Sequence, residues 1–371
     1  MPMGYPRIDG RRVKVEPLTA RESKHHIDNI RVDPDGPLSP ASSRQANQIE
    51  TIADRIRAAR SSGASVMLAY GAHLVKNGLG PVVTRMMEGG WITHLATNGA
   101  GVIHDWEYAF HGRSEEDVRA HVARGCFGTW DETGRHTALA VLAGAVDGMG
   151  YGESVGRLIV EDGYNIPDST GLRKALADWS AGLVDDEAMP ARADLLQTII
   201  RHDIAPGRHT VEHPYKRHSL TGNACRLGIP LTVHPGIGYD IVYTHPLASG
   251  AAYGRGGMID FQVFAEGVSR IDGGVFLSVG SSIMAPQVFE KSVSIANNLR
   301  RQDGLGPLQP FIAVNDLTEE DWDWNAGEPP MDNPAYYNRM GKSFSRMGGE
   351  LIYTAADNRL FIPHLCRCLA E

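Results

Sequence analysis

Residues Met67 to Glu107 read MLAYGAHLVKNGLGPVVTRMMEGGWITHLATNGAGVIHDWE, and this stretch decides the fold. The apolar run Val66 to Tyr70 breaks at Gly71, and an amphipathic run from Leu79 to Met87 ends at Gly89-Gly90. A second apolar run, Trp91 to Ala96, breaks at Thr97-Asn98-Gly99-Ala100-Gly101, after which a helix begins. Strand, glycine loop, helix, strand, glycine loop, helix is the order of a parallel βαβ unit. The loops at the C-terminal ends of its strands are where such sheets take ligands. Small residues there let backbone N–H groups approach a phosphate, and the following helix start favours negative charge.

Outward from this block the same alternation continues. Ser42 to Arg60 reads as a capped helix with Ile49, Ile52, Ile56 and Ala59 at helical spacing. Ala138 to Leu158 and Gly171 to Arg201 read as helical, with a turn-rich link at Gly163 to Thr170. From Ile229 strand signals return in PLTVHPGIGYDIVY, GGVFLSVGSSIMAP, PFIAV and ELIYTAAD, with helices over Phe261 to Arg270 and Pro286 to Leu299 between them. Such alternation predicts an α/β fold, a mostly parallel sheet with helices on both faces. The glycines from Gly148 to Gly156 follow an alanine-rich helical run rather than a strand, so they read as a helix–loop–helix corner, not a dinucleotide fingerprint. The acidic, Trp-bearing loop Asp316 to Asn333 is long enough to suggest a functional or interfacial role.

The chain has 371 residues, 42% of them hydrophobic, and a net charge of −8, enough for a large core but without the basic face that nucleic acid requires. No apolar run approaches a membrane span, and Met1 to Val13 lacks the apolar core of a signal peptide, so the expected location is cytoplasmic and no membrane partner is expected. Four cysteines, Cys126, Cys225, Cys366 and Cys368, are too few and too scattered for a disulfide framework. His209, His213 and His218 lack the register and carboxylate partners of a metal site, and no metal is assigned.

Several segments, in order along the chain, carry a resemblance. GAHLVKNGL followed by THLATNGAGVIHD resembles the first nucleotide-binding motifs of deoxyhypusine synthase, especially its archaeal forms. Further on, Asn223 to Leu231 and His234-Pro235-Gly236-Ile237-Gly238-Tyr239-Asp240 resemble that family's helix, strand and Thr-Asp-Gly-Ser loop, with Gly236 and Asp240 matching and Pro235 replacing its first aspartate. Val279 to Gln287 lies where the family has a triple-glycine loop, and Met340-Gly341-Lys342 stands at its Trp-Gly-Lys, spaced correctly from Tyr353. The resemblance covers most of residues 45 to 371. It implies a Rossmann-like, deoxyhypusine synthase-like domain over 44–371; ahead of it, residues 1–43 are Pro- and charge-rich with little periodicity and read as an N-terminal arm that lies on the body or on a neighbouring subunit. It also implies NAD as cofactor and a homotetramer with active sites at subunit interfaces.

Carried over by position, the cofactor set is Gly71, Ala72, His73, Asn77, Thr97, Asn98, Gly99, Ala100, Gly101, Asp105, Gly280, Ser281, Asn315, Asp316 and Asp357. Asn315-Asp316 and Asp357, at strand ends, suit ribose hydroxyls. Lys342 takes the place of the catalytic lysine, whose amine must be neutral to form a Schiff base and so needs burial or nearby positive charge. Asp240 is either the counter-ion of a cationic substrate or a turn and cap residue, and His234 is either a general base or a satisfied structural histidine. Tyr336 stands where a glutamate is expected, Met340 for a tryptophan and Gln287 for a histidine, so the polyamine clamp is lost while the cofactor side is kept. The expected function is NAD-dependent oxidation of an amine or alcohol carbon of a small polar substrate, with Schiff-base chemistry at Lys342. The alternatives are an NAD-dependent amino-acid cyclodeaminase or lyase and a non-catalytic nucleotide-binding scaffold.

Overall fold

The structure is a computed structural model that describes residues 4–371. Six strands form one sheet: β1 (Val66–Tyr70), β2 (His94–Thr97), β3 (Leu231–Val233), β4 (Val275–Val279), β5 (Phe311–Asp316) and β6 (Glu350–Ala355). They lie in the order β3-β2-β1-β4-β5-β6, and every pair is parallel. This is the doubly wound order, in which the chain reverses direction across the sheet between β1 and β4. The helices used below are α1 (Ser43–Ser62), α2 (Ala72–Lys76), α3 (Gly80–Glu88), α4 (Gly99–His111), α5 (Asp131–Val146), α6 (Tyr151–Glu161) and α7 (Leu220–Leu227). After them come α8 (Gly250–Ser269), α9 (Met284–Gln302), α10 (Arg339–Ser345) and α11 (Asn358–Ala370).

Both faces of the sheet are covered, which is why its strands are apolar without alternation. Val66, Leu68 and Tyr70 of β1 pack in one cluster with Ile52 of α1, Val82 of α3 and Phe361 of α11, while Met67 and Ala69 pack on the other side with Phe264 of α8, Phe289 of α9 and Phe344 of α10. The expected helix at Ser42 to Arg60 is present, with a capping box in which Ser42 and Gln45 satisfy each other's backbone N–H and Gly63 closing the far end. Gln45 and Gln48 donate to the Ala355 and Tyr353 carbonyls at 2.8 and 2.9 Å, so α1 covers the outer edge of β6. No helix among the described residues is long and apolar enough to cross a membrane.

The helix–loop–helix corner expected at Gly148 to Gly156 is present: the run Ala138 to Leu158 is split into α5 and α6, and Gly148 takes the left-handed conformation at φ 75° and turns the chain. The structure differs from the sequence reading in three places. The link at Gly163 to Thr170 contains a strand, Gly163–Ile166, paired antiparallel with Gly207–Thr210. The run Gly171 to Arg201 is two helices, Ser169–Ser180 and Met189–His202. The apolar run from Pro230 to Tyr243 yields only Leu231–Val233, since β2 offers a short partner and Pro235, Gly236 and Gly238 then turn the backbone away.

The stretch Leu18 to Ile27 ahead of α1 lies on the chain's own body. Leu18 and Ile27 are buried, and Arg21 forms a two-pronged ion pair with the fully buried Glu107 of α4 at 2.8 and 2.7 Å. Ser114 and Thr133 donate to the same carboxylate at 2.5 and 2.8 Å, so its remaining lone pairs are used.

Candidate functional site

A parallel sheet brings all its strand C-termini to one edge, and seven of the sequence-predicted positions meet there. Gly71 follows β1, Thr97 ends β2, His234 follows β3, Gly280 follows β4, Asn315 and Asp316 end β5, and Asp357 comes just after β6. At the crevice between β1 and β4 the two backbones approach closely. The Gly71 N–H donates to the Val279 carbonyl at 3.2 Å, and a Cβ on Gly71 would run into the Gly280 carbonyl oxygen. Gly280 itself sits at φ 58°, a left-handed turn that carries the chain from β4 into α9.

The start of α9 at this crevice has unpartnered donors. Among the described residues, the backbone N–H groups of Ser281, Ser282, Ile283 and Met284 find no acceptor within the chain, and only the Ala285 N–H is capped, by Ser281 Oγ at 3.2 Å. Beside it, Asn315 is fully buried, and its Nδ2 donates to the Ala356 carbonyl at 3.1 Å and to Asn358 Oδ1 at 3.0 Å, while its own Oδ1 has no partner. Backbone donors at a long helix start and an orphaned buried acceptor next to a glycine-lined crevice fit the phosphate and ribose of a dinucleotide. Asn358 belongs to this group and escaped the sequence reading; its signal was its place directly after Asp357 at a helix start. Asp357 and Asp316 are turned to local work, accepting from the Arg359 N–H at 2.7 Å and the Leu317 N–H at 2.6 Å.

The second glycine loop differs. Asn98 caps α4 through the Gly101 N–H at 2.9 Å, and the carboxylate of Asp240 lies against Gly99, where an added Cβ would meet its oxygens at 2.6 and 2.7 Å. Asp240 is 6% exposed and accepts the Gly236 N–H at 2.7 Å, and burial pushes its carboxyl above the usual carboxylate range while the amides of Gly236, Ala100 and Gly99 pull it back. Asp105 faces away from the crevice. Its oxygens accept from Ser219 Oγ at 2.6 Å and from the Leu220 and Thr221 N–H groups at 2.9 Å, so it caps α7 instead of meeting a ligand. Asp260 does the same at α6, accepting from the Gly152 N–H at 2.9 Å and from the Val233 N–H at 2.7 Å, which also covers the edge of β3. Ala72 is half-buried and His73 exposed on α2, and Asn77 closes that helix.

His234 and Lys342 both sit in settings that change their chemistry. His234 Nε2 is 3.2 Å from Thr232 Oγ1, which is 3.0 Å from His94 Nε2, and Phe264 packs edge-on against both rings. Burial pulls His234 down to about 4 and His94 to about 3, so both are neutral near pH 7. Lys342 Nζ pairs with Glu328 at 2.8 Å and lies 3.3 Å from the centre of the Tyr336 ring. The Glu328 carboxylate raises its pKa, the reverse of what a Schiff-base lysine requires. Glu328 comes from the long loop that leaves the end of β5, and Tyr336 from the short turn that follows it.

No protein-family model matches the chain, and no curated protein matches it. Among solved structures, the ternary complex of AgrE with ornithine and NAD+ has a TM-score of 0.43 at 13% identity, over 89% of this chain and 34% of that one. ArgZ, an arginine dihydrolase from the ornithine-ammonia cycle in cyanobacteria, has a TM-score of 0.41 at 14% identity, over 86% of this chain and 32% of that one. A conserved LOR/SDH protein from Methanococcus maripaludis S2 has a TM-score of 0.41 at 14% identity, over 91% of this chain and 73% of that one. The chain thus spans about a third of the length of the first two. Likeness at these scores transfers neither a residue nor an activity.

Proposed function

We propose that this chain is an NAD-dependent enzyme acting on the amine- or alcohol-bearing carbon of a small polar substrate. The observation that carries the reading is the Gly71–Gly280 crevice, with the unpartnered N–H groups of Ser281 to Met284 on one wall and the orphaned Asn315 Oδ1 beside it. In this reading the amides receive phosphate oxygens, the free Asn315 Oδ1 meets a ribose hydroxyl, and Thr97 to Gly101 form the flank of the site. Bound there, a nicotinamide would accept a hydride from the substrate carbon and return it within one turnover. The protein's task is to bind, orient and exclude water.

The ion pair of Lys342 favours one variant of this chemistry. A lysine held as an ammonium by Glu328 is not a nucleophile, whereas an amino-acid cyclodeaminase or lyase forms its imine on the substrate's own amine and needs no enzyme lysine. We therefore place amino-acid cyclodeaminase or lyase chemistry ahead of Schiff-base transfer. A homotetramer, implied by the resemblance to deoxyhypusine synthase, is part of the proposal and is read by sedimentation equilibrium.

Calorimetry with NAD, NADP and FAD tests the cofactor, with NAD expected to bind most tightly. Gly71→Ala should abolish that binding, because its Cβ displaces the Gly280 carbonyl and closes the crevice. Absence of any dinucleotide binding at millimolar concentration would overturn the assignment. Ornithine and NAD together, the pair held by AgrE, are the first ligands to try for turnover. Tight NAD binding with no transient reduced nicotinamide on any amino acid or amine would leave the non-catalytic scaffold.

A further inference from the structure

Two glycine loops face the C-terminal edge, and each is composed to hold a phosphate, yet one already holds an anion. At α4 the Asp240 carboxylate lies over Gly99, is nearly fully buried, and is bonded by the amide of Gly236 with those of Gly99 and Ala100 directed at it. Asp105 and Asp260 fill the corresponding places at α7 and α6. At α9, among the described residues, no carboxylate does so and four backbone donors stay unpartnered.

We propose that Asp240 is a specificity-determining residue: it reserves the Gly99 loop against phosphate, so that ligand phosphates bind only at the Gly71–Gly280 crevice. The helix start of α4 offers about half a unit of positive charge, and a resident carboxylate consumes it. A second anion there would meet Asp240 at van der Waals distance, with like charges in a site sheltered from water. The group that a ligand presents to the Gly99 corner is therefore uncharged or cationic. This deepens the dinucleotide reading and rests on it, but its test uses inorganic anions and so stands or falls separately.

The experiment titrates the full chain with inorganic pyrophosphate and reads peptide-resolved hydrogen exchange. In the wild type, pyrophosphate should slow exchange across Ser281 to Met284 and leave Gly99 to Val102 unchanged. Asp240→Asn, which keeps shape and one acceptor while removing the charge, should create a second site, with exchange at Gly99 to Val102 slowed by pyrophosphate and anion affinity there raised at least tenfold. Asp240→Ser is the second variant should the first not fold, with the same expectation. Wild-type protection of Gly99 to Val102, or faster exchange at Gly236 to Thr244 on adding pyrophosphate, would show that phosphate displaces the carboxylate and would overturn the proposal. Two folded variants that gain no anion binding would overturn it as well. Failure of NAD to bind, with these anion results intact, would remove the cofactor reading alone.

Discussion

At the scale of single residues, neighbours set the chemistry more than residue type does. Lys342 was legible as a candidate from Met340-Gly341-Lys342 and its distance to Tyr353, but the partners that fix its protonation, Glu328 and Tyr336, come from the irregular loop ahead of it. No periodicity announces such a pair. Because the Glu328 carboxylate stabilises the ammonium, Glu328→Gln should move the Lys342 titration down toward the ordinary lysine value. The pH dependence of reductive methylation at Lys342 measures it, and an unchanged midpoint would show that the carboxylate has no hold on the amine. Asp105 teaches the same lesson. Its place after the glycine loop suggested a ligand contact, whereas its oxygens are spent on the start of α7, more than a hundred residues later in the chain.

At the scale of elements, β2 and β3 place His94, Thr232 and His234 in one buried file against Phe264 of α8. The apolar runs revealed the strands, but which residues stand side by side depends on register, here Leu95 opposite Leu231 and Thr97 opposite Val233. Both histidines are depressed in the fold, so the unfolded chain takes up their protons first. The stability they contribute is complete above pH 6.5 and is lost as the pH falls through about 4 for His234 and about 3 for His94. For His234 alone the loss amounts to roughly 3 kcal/mol, using about 1.4 kcal/mol per pKa unit. Urea unfolding between pH 7 and pH 4 should therefore show a fall in stability that is shallower in His234→Gln. An identical slope in the variant would show that His234 is not held neutral by burial.

At the scale of the whole molecule, the segment before α1 is tied into the body by Arg21 and Glu107, which lie 86 residues apart in sequence. Removing one partner of a fully buried pair leaves the other charged and uncompensated, so Arg21→Ala should cost about 3–5 kcal/mol in denaturant unfolding. A loss below about 1 kcal/mol would mean that water reaches Glu107 once the arginine is gone. By itself the sequence determined what depends on local pattern: an α/β chain, its six apolar strands, the capped helix after Ser42 and the two glycine loops. These follow from side-chain periodicity and from glycine's backbone freedom, both of which act over a few residues. Only the tertiary structure decided the strand order, the pairing of Gly71 with Gly280, and which carboxylate fills which helix start. Those depend on backbone donors and buried charges from distant segments coming within hydrogen-bonding distance, and a one-dimensional pattern carries no record of that approach.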